Sequence, residues 1–343
     1  MRERLRVFIA ACFYYSGLVR LAHRYRRRSD RRLIILNYHR ATGGNLRRQL
    51  LYLRRHYRIL HLEAALEELS TARNARKQGS DRRMPLVLTF DDGYYDNYTY
   101  GFPLARELHV PVTIFLIPGY IEDGDCFRWL AGEHHVSHAQ VKEITLEGCT
   151  YCLEHLEERE LLARIIDARL SHATSVAERE EFLVGVREAL AVPPSLIAEG
   201  RLLMWAEVRE MEESGWVSFG AHTMHHPILA YLADPAEVRR EVEECRTVLE
   251  QKLGHPVRTF AYPVGKPEHI GDEGLRAVKE AGYTWAVTTI EEANTAQTDP
   301  HLLRRLPGDV DLHWLVMASE LVGLLGVISR LKKIYQRFSR PAF

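Results

Sequence analysis

Two adjacent carboxylates follow an apolar run in the first third of the chain. The run Leu86–Phe90 reads LVLTF and leads directly into Asp91, Asp92 and a glycine. A turn or helix cap after a strand needs only one such side chain, so two in a row favour chemistry. One carboxylate can bind a cation, which relieves the repulsion between them, while the other accepts a proton from water that the cation has acidified.

A second group of reactive side chains lies in Gly220–Pro227, which reads GAHTMHHP. His222 and His226 are four residues apart, so one helical turn would point both imidazoles to the same side. Two histidines and one carboxylate leave positions open for water and substrate, as a catalytic metal site requires. His225 is an alternative ligand three residues after His222, and the spacing by itself also fits a polar loop.

The elements that position these residues read as alternating strands and helices. Strand, helix and strand between residues 86 and 117 form a βαβ unit, which predicts a parallel sheet. In a β/α barrel the carboxyl ends of the strands form the face where sites are built, and several predicted strands end in histidine or aspartate. We therefore expect an α/β barrel. The predicted strands are Leu33–Leu36, Leu86–Phe90, Pro111–Ile117, Trp216–Gly220, Thr259–Tyr262 and Tyr283–Thr288.

The stretch from residue 125 to 200 breaks this alternation. It is charged and poor in strand signals, so it is interpreted as an insertion of several helices within a barrel that covers residues 31–310. Five cysteines in 343 residues do not form a disulfide framework, and the lone pair Cys149 and Cys152 is a weak signal for zinc. The formal net charge of zero gives no reason to expect nucleic acid as a partner.

Both termini carry apolar stretches next to basic residues. The uncharged run Val7–Val19 has thirteen residues, whereas a membrane span needs about 20. Residues 1–30 are therefore interpreted as a helix that lies in the interface of an anionic membrane or packs on the domain. Residues 311–343 predict an amphipathic surface helix. With no clear signal peptide, the sequence leaves the compartment open and favours a cytoplasmic or peripherally membrane-associated protein.

Three motifs resemble those of the polysaccharide deacetylase family, which is carbohydrate esterase family 4 with its NodB-type homology domain. Thr89–Gly93 (TFDDG) is similar to the first motif, His222–Pro227 (HTMHHP) to the second and Phe260–Gly265 (FAYPVG) to the third. They occur in the family's order, and the resemblance covers residues 33–307. It implies a distorted (β/α) barrel and a metal-dependent hydrolase that removes N-acetyl groups from N-acetylated sugars in a polysaccharide or glycolipid.

The resemblance also implies roles for single residues. Asp91 corresponds to the general base, and Asp92, His222 and His226 to the ligands of a divalent metal, usually zinc. The backbone N–H of Val264 corresponds to the donor that faces the oxyanion.

Departures from the family's motifs affect three positions. Ala261 stands where the family often has an arginine that orients the base; Arg305 is our candidate to replace it, and the alternative is that Arg305 lies on the surface. Val264 replaces a common aromatic residue, which keeps the backbone donor but removes a surface on which a sugar could stack. His39, after a strand that ends in Tyr-His, is the preferred general acid, and His313 is the alternative.

Other functions remain open at this stage. The same machinery could act on a non-sugar amide, since the motifs specify chemistry rather than substrate. A catalytically inactive glycan-binding or assembly protein is a second alternative, although the base and all three ligands are present. The expected partners are an N-acetylated glycan and, through the termini, a membrane surface.

Overall fold

The computed structural model describes residues 2–29, 32–71, 81, 83–123, 131–193 and 201–325. Within these residues, eight strands form one sheet and two more form a hairpin. The strands are β1 Ile34–Tyr38, β2 Tyr57–Ile59, β3 Met84–Phe90, β4 Val112–Leu116, β5 Glu143–Leu146, β6 Cys149–Cys152, β7 Val217–Ala221, β8 Thr259–Ala261, β9 Trp285–Val287 and β10 Leu306–Pro307.

Helices surround this sheet. They are α1 Arg2–Tyr15, α2 Leu18–Ser29, α3 Leu46–His56, α4 Leu62–Thr71, α5 Phe102–Leu108, α6 Pro118–Asp123, α7 Gly132–Ser137, α8 Leu156–Ser171, α9 Val176–Ala189, α10 Trp205–Glu213, α11 Pro235–Leu253, α12 Pro267–Glu280 and α13 Trp314–Leu321. A π-helical turn, Asn97–Gly101, precedes α5, and a 3-10 turn, Leu229–Tyr231, precedes α11.

The large sheet is parallel throughout, in the order β10, β1, β3, β4, β7, β8, β9, with β2 beside β3. The segment after β9 reaches both edges, because Leu303 pairs with Val287 of β9 and Leu306 pairs with Leu36 of β1. The predicted distorted barrel is therefore confirmed. The carboxyl ends of β1, β3, β7 and β8 meet at one face.

Apolar residues on both faces of the strands explain this architecture. All residues of β1 and β4 are buried, as expected for parallel strands covered on both sides. Alternate residues enter different clusters: Leu33 and Ile35 pack with α4 on one side, and Ile34 and Leu36 pack in the main core on the other.

The insertion is a small unit with its own core. The prediction of helices alone is wrong, because β5 and β6 form an antiparallel hairpin between α7 and α8. Ile144 from β5 and Tyr151 from β6 pack with helical residues in a cluster separate from the barrel core; its other buried members include Leu162, Ile166, Val186 and Leu190. Four-residue strands at an edge leave a weak pattern, which is why the sequence did not reveal the hairpin.

The terminal helices pack on each other. Ala10 of α1 is buried against Leu315 and Val316 of α13, and His23 of α2 lies 2.8 Å from the Tyr52 hydroxyl. Most of α13 is buried, so its described part is not the surface helix that was expected; residues 326–343 lie outside the described chain. No single helix in the described ranges meets the length and hydropathy expected of a membrane span, and α1 with α2 does so only as a pair bent by 69°.

Candidate active site

The two aspartates lie at the carboxyl end of β3, and their side chains have different neighbours. Tyr38 at the end of β1 pairs with Phe90 at the end of β3, so His39 and Asp91 follow on adjacent strand ends. Asp91 and Asp92 are each only 2% exposed. Asp91 contacts an arginine, whereas Asp92 faces two histidines.

Asp92, His222 and His226 form a compact buried cluster. Asp92 Oδ1 lies 3.4 Å from His222 Nε2 and 3.6 Å from His226 Nε2, and the three candidate ligand atoms lie within 4.8 Å of one another. His222 Nδ1 is 2.7 Å from the carbonyl oxygen of Ala261, which leaves Nε2 directed at the cluster. No other group of three such residues suited to a metal ion occurs in the parts of the chain that the structure describes.

This cluster fits a divalent cation. The buried Oδ1 of Asp92 has no hydrogen-bond partner of normal geometry among the described residues, which is costly unless a positive charge faces it. Ligands at the usual zinc bond length and tetrahedral angles are about 3.3 Å apart, close to the two distances from Asp92. Two imidazoles and one carboxylate are also a donor set that zinc takes in catalytic sites.

The charge states of Asp92 and His226 suit metal binding, whereas at His222 burial lowers the pKa but the carboxylates of Asp92 and Asp91 outweigh it and raise that pKa, so a cation would displace a proton there. Burial raises the pKa of Asp92, but the imidazoles around it, first of all His222, outweigh this effect and hold that pKa well below its usual range. Burial lowers the pKa of His226 to about 3, so its ring is neutral. Asp92 is therefore an anion and His226 a neutral donor.

His225 lies outside the cluster. Its Nδ1 is 2.7 Å from Glu241 Oε1, and its backbone N–H donates to Glu241 Oε2 at 2.8 Å. Glu241 belongs to α11 and is itself buried. The structure thus brings His226, and not His225, to His222 and Asp92.

Left-handed backbone conformations concentrate in the three motifs. Asp92, Thr223, His226 and Val264 have φ of 72°, 61°, 57° and 59°, values that cost free energy for residues other than glycine. The Thr223 hydroxyl accepts the N–H of His226 at 2.9 Å and so helps to hold this turn. Such strain persists where surrounding contacts impose it, which is common at functional sites.

Arg305 is buried and binds Asp91 with two parallel hydrogen bonds. Its Nη1 donates to Asp91 Oδ1 at 2.7 Å and its Nη2 to Oδ2 at 2.8 Å, while Nε donates to the carbonyl of Thr288 at 2.9 Å. Arg305 is 1% exposed, so the alternative of a surface arginine is wrong. Arg305 lies between β9 and β10, directly before the short strand β10 that pairs with β1.

The arginine fixes the charge of Asp91. Burial raises the pKa of this carboxyl, but the charge of Arg305, with His222 and His39, outweighs it and leaves the pKa below its ordinary value. Asn37 Oδ1 and Thr89 Oγ1 also accept from Arg305 Nη1, at 3.0 and 3.2 Å. Neither residue was predicted from the sequence, although each is a polar residue inside an apolar strand.

The three remaining predicted residues, Val264, His39 and His313, occupy different environments. The N–H of Val264 donates to no acceptor among the described residues, and its role toward an oxyanion stays a prediction. His39 is exposed and follows the end of β1, beside the end of β3 that carries Asp91. His313 instead caps α13, where its Nδ1 accepts the N–H of Leu315 at 3.2 Å.

Comparison with known proteins agrees with this geometry. A family model described as Polysaccharide deacetylase matches residues 78–286. YxkH of Bacillus subtilis strain 168, a polysaccharide deacetylase by name, is 29% identical over 134 residues. That alignment covers 37% of this chain and 44% of YxkH, so the chain spans less than half the length of this relative.

Solved structures share the fold. The deacetylase PplD of Streptococcus pyogenes, in complex with acetate, has a TM-score of 0.54 and 18% identity, over 83% of this chain and 96% of PplD. IcaB from Ammonifex degensii has a TM-score of 0.54 and 18% identity, over 84% of this chain and 96% of IcaB. At this identity the similarity supports the barrel alone.

Proposed function

Because the chain belongs to the polysaccharide deacetylase family, we propose that it is a metal-dependent hydrolase that removes N-acetyl groups from the sugars of a polysaccharide or glycolipid. The observation that carries the proposal is the buried cluster of Asp92, His222 and His226 beside an Asp91 carboxylate that Arg305 holds in place. This arrangement puts one metal ligand, Asp92, directly after the base Asp91, which suits the hydrolysis of an amide.

Asp92, His222 and His226 would hold the cation, and their donor set favours zinc. When bound, a divalent cation polarises an amide carbonyl and lowers the pKa of water. Asp91 then accepts a proton from the attacking water. Both of its oxygens bind Arg305, but a carboxylate has about four lone-pair sites, so capacity to accept a proton remains.

The other candidate residues serve the oxyanion and the leaving group. The Val264 N–H donates to the oxygen on which negative charge develops. His39 gives a proton to the amine nitrogen as the C–N bond breaks. The water oxygen ends in acetate, the sugar keeps a free amino group, and the proton on Asp91 returns to solvent.

Alanine variants of His39 and His313 distinguish the two candidates for the general acid, because we expect a large loss of kcat in only one of them. His39→Ala is expected to lower kcat for acetate release by about 10²–10⁴-fold, the usual contribution of an acid catalyst. His313→Ala should leave kcat within a few-fold of wild type, although loss of the cap lowers helix stability by about 0.5–2 kcal/mol. Steady-state kinetics of both variants with melting curves decide the assignment, and a large kcat loss in His313→Ala alone would reverse it.

Acetate release tests the function itself. The wild-type chain is expected to release acetate, with equal amounts of free amine, from N-acetylglucosamine oligomers. A chelator should abolish this activity and added zinc should restore it. Release from an N-acetylated peptide alone would support the non-sugar alternative, and oligomer binding without release would support the inactive glycan-binding alternative.

We propose peripheral membrane contact as a second property, and the face of the N-terminal helices that is exposed among the described residues supports it. In α1, the exposed residues Leu5, Phe8, Cys12 and Tyr15 follow one stripe, and Leu18, Leu21 and Tyr25 are exposed on α2. Phe8 is 66% exposed and Tyr25 is 72% exposed. Exposed Arg4, Arg20 and Arg24 accompany the stripe, a combination suited to the interface of an anionic membrane.

Replacing Leu18 and Leu21 together with serine is expected to abolish sedimentation with vesicles that contain phosphatidylglycerol. The wild-type chain should sediment with these vesicles and stay in solution with pure phosphatidylcholine, because the arginines need anionic lipid. Leu161→Ser is the control, since Leu161 is a 44% exposed leucine on α8. Equal sedimentation of all three proteins would contradict the proposal, as would a wild-type dimer that the double variant converts to a monomer.

A further inference from the structure

We propose that Arg179 of the insertion is a positioning residue that holds the turn Thr223–His226 in the conformation that brings His226 to the metal. The inference rests on the proposed metal site but is independent of which amide is the substrate. It gives the insertion a role in the site, although none of its residues belongs to the cluster of Asp92, His222 and His226.

The insertion is anchored to the barrel where Arg179 projects from it. Ser175 caps α9 by accepting the N–H of Glu178 at 3.1 Å, which fixes the first turn of the helix. Just beside this cap, the N–H of Val176 donates to Glu237 Oε1 at 2.8 Å, and the N–H of Ala233 donates to the carbonyl of Thr174 at 2.9 Å. The start of α9 is therefore held against the start of α11.

Arg179 lies one turn into α9 and reaches the metal-binding turn. It is 7% exposed; its Nη1 donates to the carbonyl of His226 at 3.1 Å and its Nη2 to the carbonyl of His225 at 2.6 Å. Nη2 also donates to the Tyr120 hydroxyl at 2.6 Å. A planar guanidinium can bind two neighbouring carbonyl groups at once, which a lysine ammonium on its flexible stem cannot reproduce.

The charge of Arg179 is balanced locally. Glu180 Oε1 lies 3.0 Å from Nη2 of Arg179 and also accepts the Tyr120 hydroxyl at 2.7 Å. Arg179 therefore acts on the turn chiefly through directed hydrogen bonds. Because Glu180 largely compensates its positive charge, Arg179 would add little repulsion to a cation bound nearby.

The turn needs restraint on the side of the insertion because its backbone is strained. Thr223 and His226 have φ of 61° and 57°. From the barrel side, Glu241 holds the N–H and ring of His225, and the N–H of Gly119 donates to the carbonyl of Met224 at 2.9 Å. Arg179 supplies the restraint at the two carbonyls that follow, and one of them belongs to the ligand His226.

Loss of Arg179 should therefore weaken metal binding before it affects chemistry. Removing a residue that orients a metal ligand commonly costs 10–100-fold in affinity, and we expect about this loss for Arg179→Met. Arg179→Lys should show a smaller loss of zinc affinity. The lysine keeps the charge and one donor nitrogen, but it lacks the planar guanidinium that binds two carbonyl groups at once. At saturating zinc, kcat should stay within a few-fold of wild type, since Arg179 contacts no reacting atom.

The test is the zinc dissociation constant of the full chain, measured by competition with a chromogenic chelator. Arg169→Met is the matched control, because Arg169 is an arginine of the insertion that pairs with Glu178 and Glu147 rather than with the turn. Far-ultraviolet circular dichroism of the metal-free proteins identifies variants that fail to fold. If Arg179→Met does not fold, the zinc dissociation constant of Arg179→Lys provides the test.

Weaker zinc binding by folded Arg179 variants, with Arg169→Met unchanged, would support the inference. Wild-type affinity in both Arg179 variants would overturn it, and so would an equal loss in Arg169→Met. A wild-type chain that binds no zinc would instead overturn the metal site of the proposed function, so the two failures are distinguishable.

Discussion

Asp91→Asn is expected to lower kcat for acetate release by about 10³-fold or more while zinc remains bound. An amide of the same shape cannot accept a proton from water, and loss of a general base typically costs 10²–10⁴-fold. Metal binding should persist because Asp91 is not part of the cluster of Asp92, His222 and His226. Acetate kinetics and metal analysis of the same purified sample measure both effects.

Asp96→Asn is the control for this variant. Asp96 is another buried aspartate on the same loop, and its Oδ2 binds Arg40 Nε at 2.8 Å, but it faces neither the cluster nor Arg305. It should lose stability through its broken ion pair and keep a kcat near that of wild type. Equal activity in the two variants would contradict the role of Asp91 as base.

Arg305→Met is expected to reduce both activity and stability. It leaves Asp91 buried without its partner, and breaking a buried ion pair on one side costs about 3–5 kcal/mol of unfolding free energy. The carboxylate also loses the two bonds that orient it, so we expect kcat to fall by about 10²-fold with little change in KM. Urea unfolding and steady-state kinetics measure the two losses.

The pH profile separates positioning of the base from general destabilisation. Arg305 lowers the pKa of Asp91, so its removal raises that pKa, and the acid limb of the kcat profile should move to higher pH. Arg305→Lys should retain part of the shift in pKa but not the parallel bonds. Arg304→Met, at a partly exposed neighbour paired with Glu292, should leave the pH profile unchanged. A similar displacement of the acid limb in Arg304→Met would count against the role of Arg305.

The strand ends and the candidate metal ligands could be picked out from the sequence because they are local features. Buried strands are marked by apolar runs, and Asp91, Asp92 and the histidines follow those runs directly. Which of the two histidines, His226 or His225, reaches the cluster is not determined by neighbouring residues in the sequence. It depends on Glu241, sixteen residues further along in α11, which binds the ring of His225 and turns it away from the cluster.

Long-range packing also explains the other differences. Arg305 was a candidate only because Ala261 lacks an arginine side chain. Its two hydrogen bonds to Asp91 depend on the path of the segment between β9 and β10, which places β10 beside β1. The burial of α13 depends partly on Ala10 from the opposite end of the chain, which packs with Leu315 and Val316, and partly on the main core. The contacts of Arg179 with the metal-binding turn arise from the docking of α9, which no pattern in residues 125–200 indicates.

The zinc content of the purified wild-type chain, compared with His226→Ala and His225→Ala, decides whether the cluster of Asp92, His222 and His226 binds a metal. Inductively coupled plasma mass spectrometry after dialysis against trace zinc gives the stoichiometry. We expect about one zinc per chain in the wild type and in His225→Ala, and none in His226→Ala, as the donor geometry of a catalytic zinc site requires. A wild-type chain without metal, or full retention in His226→Ala, would contradict the metal site on which the account depends.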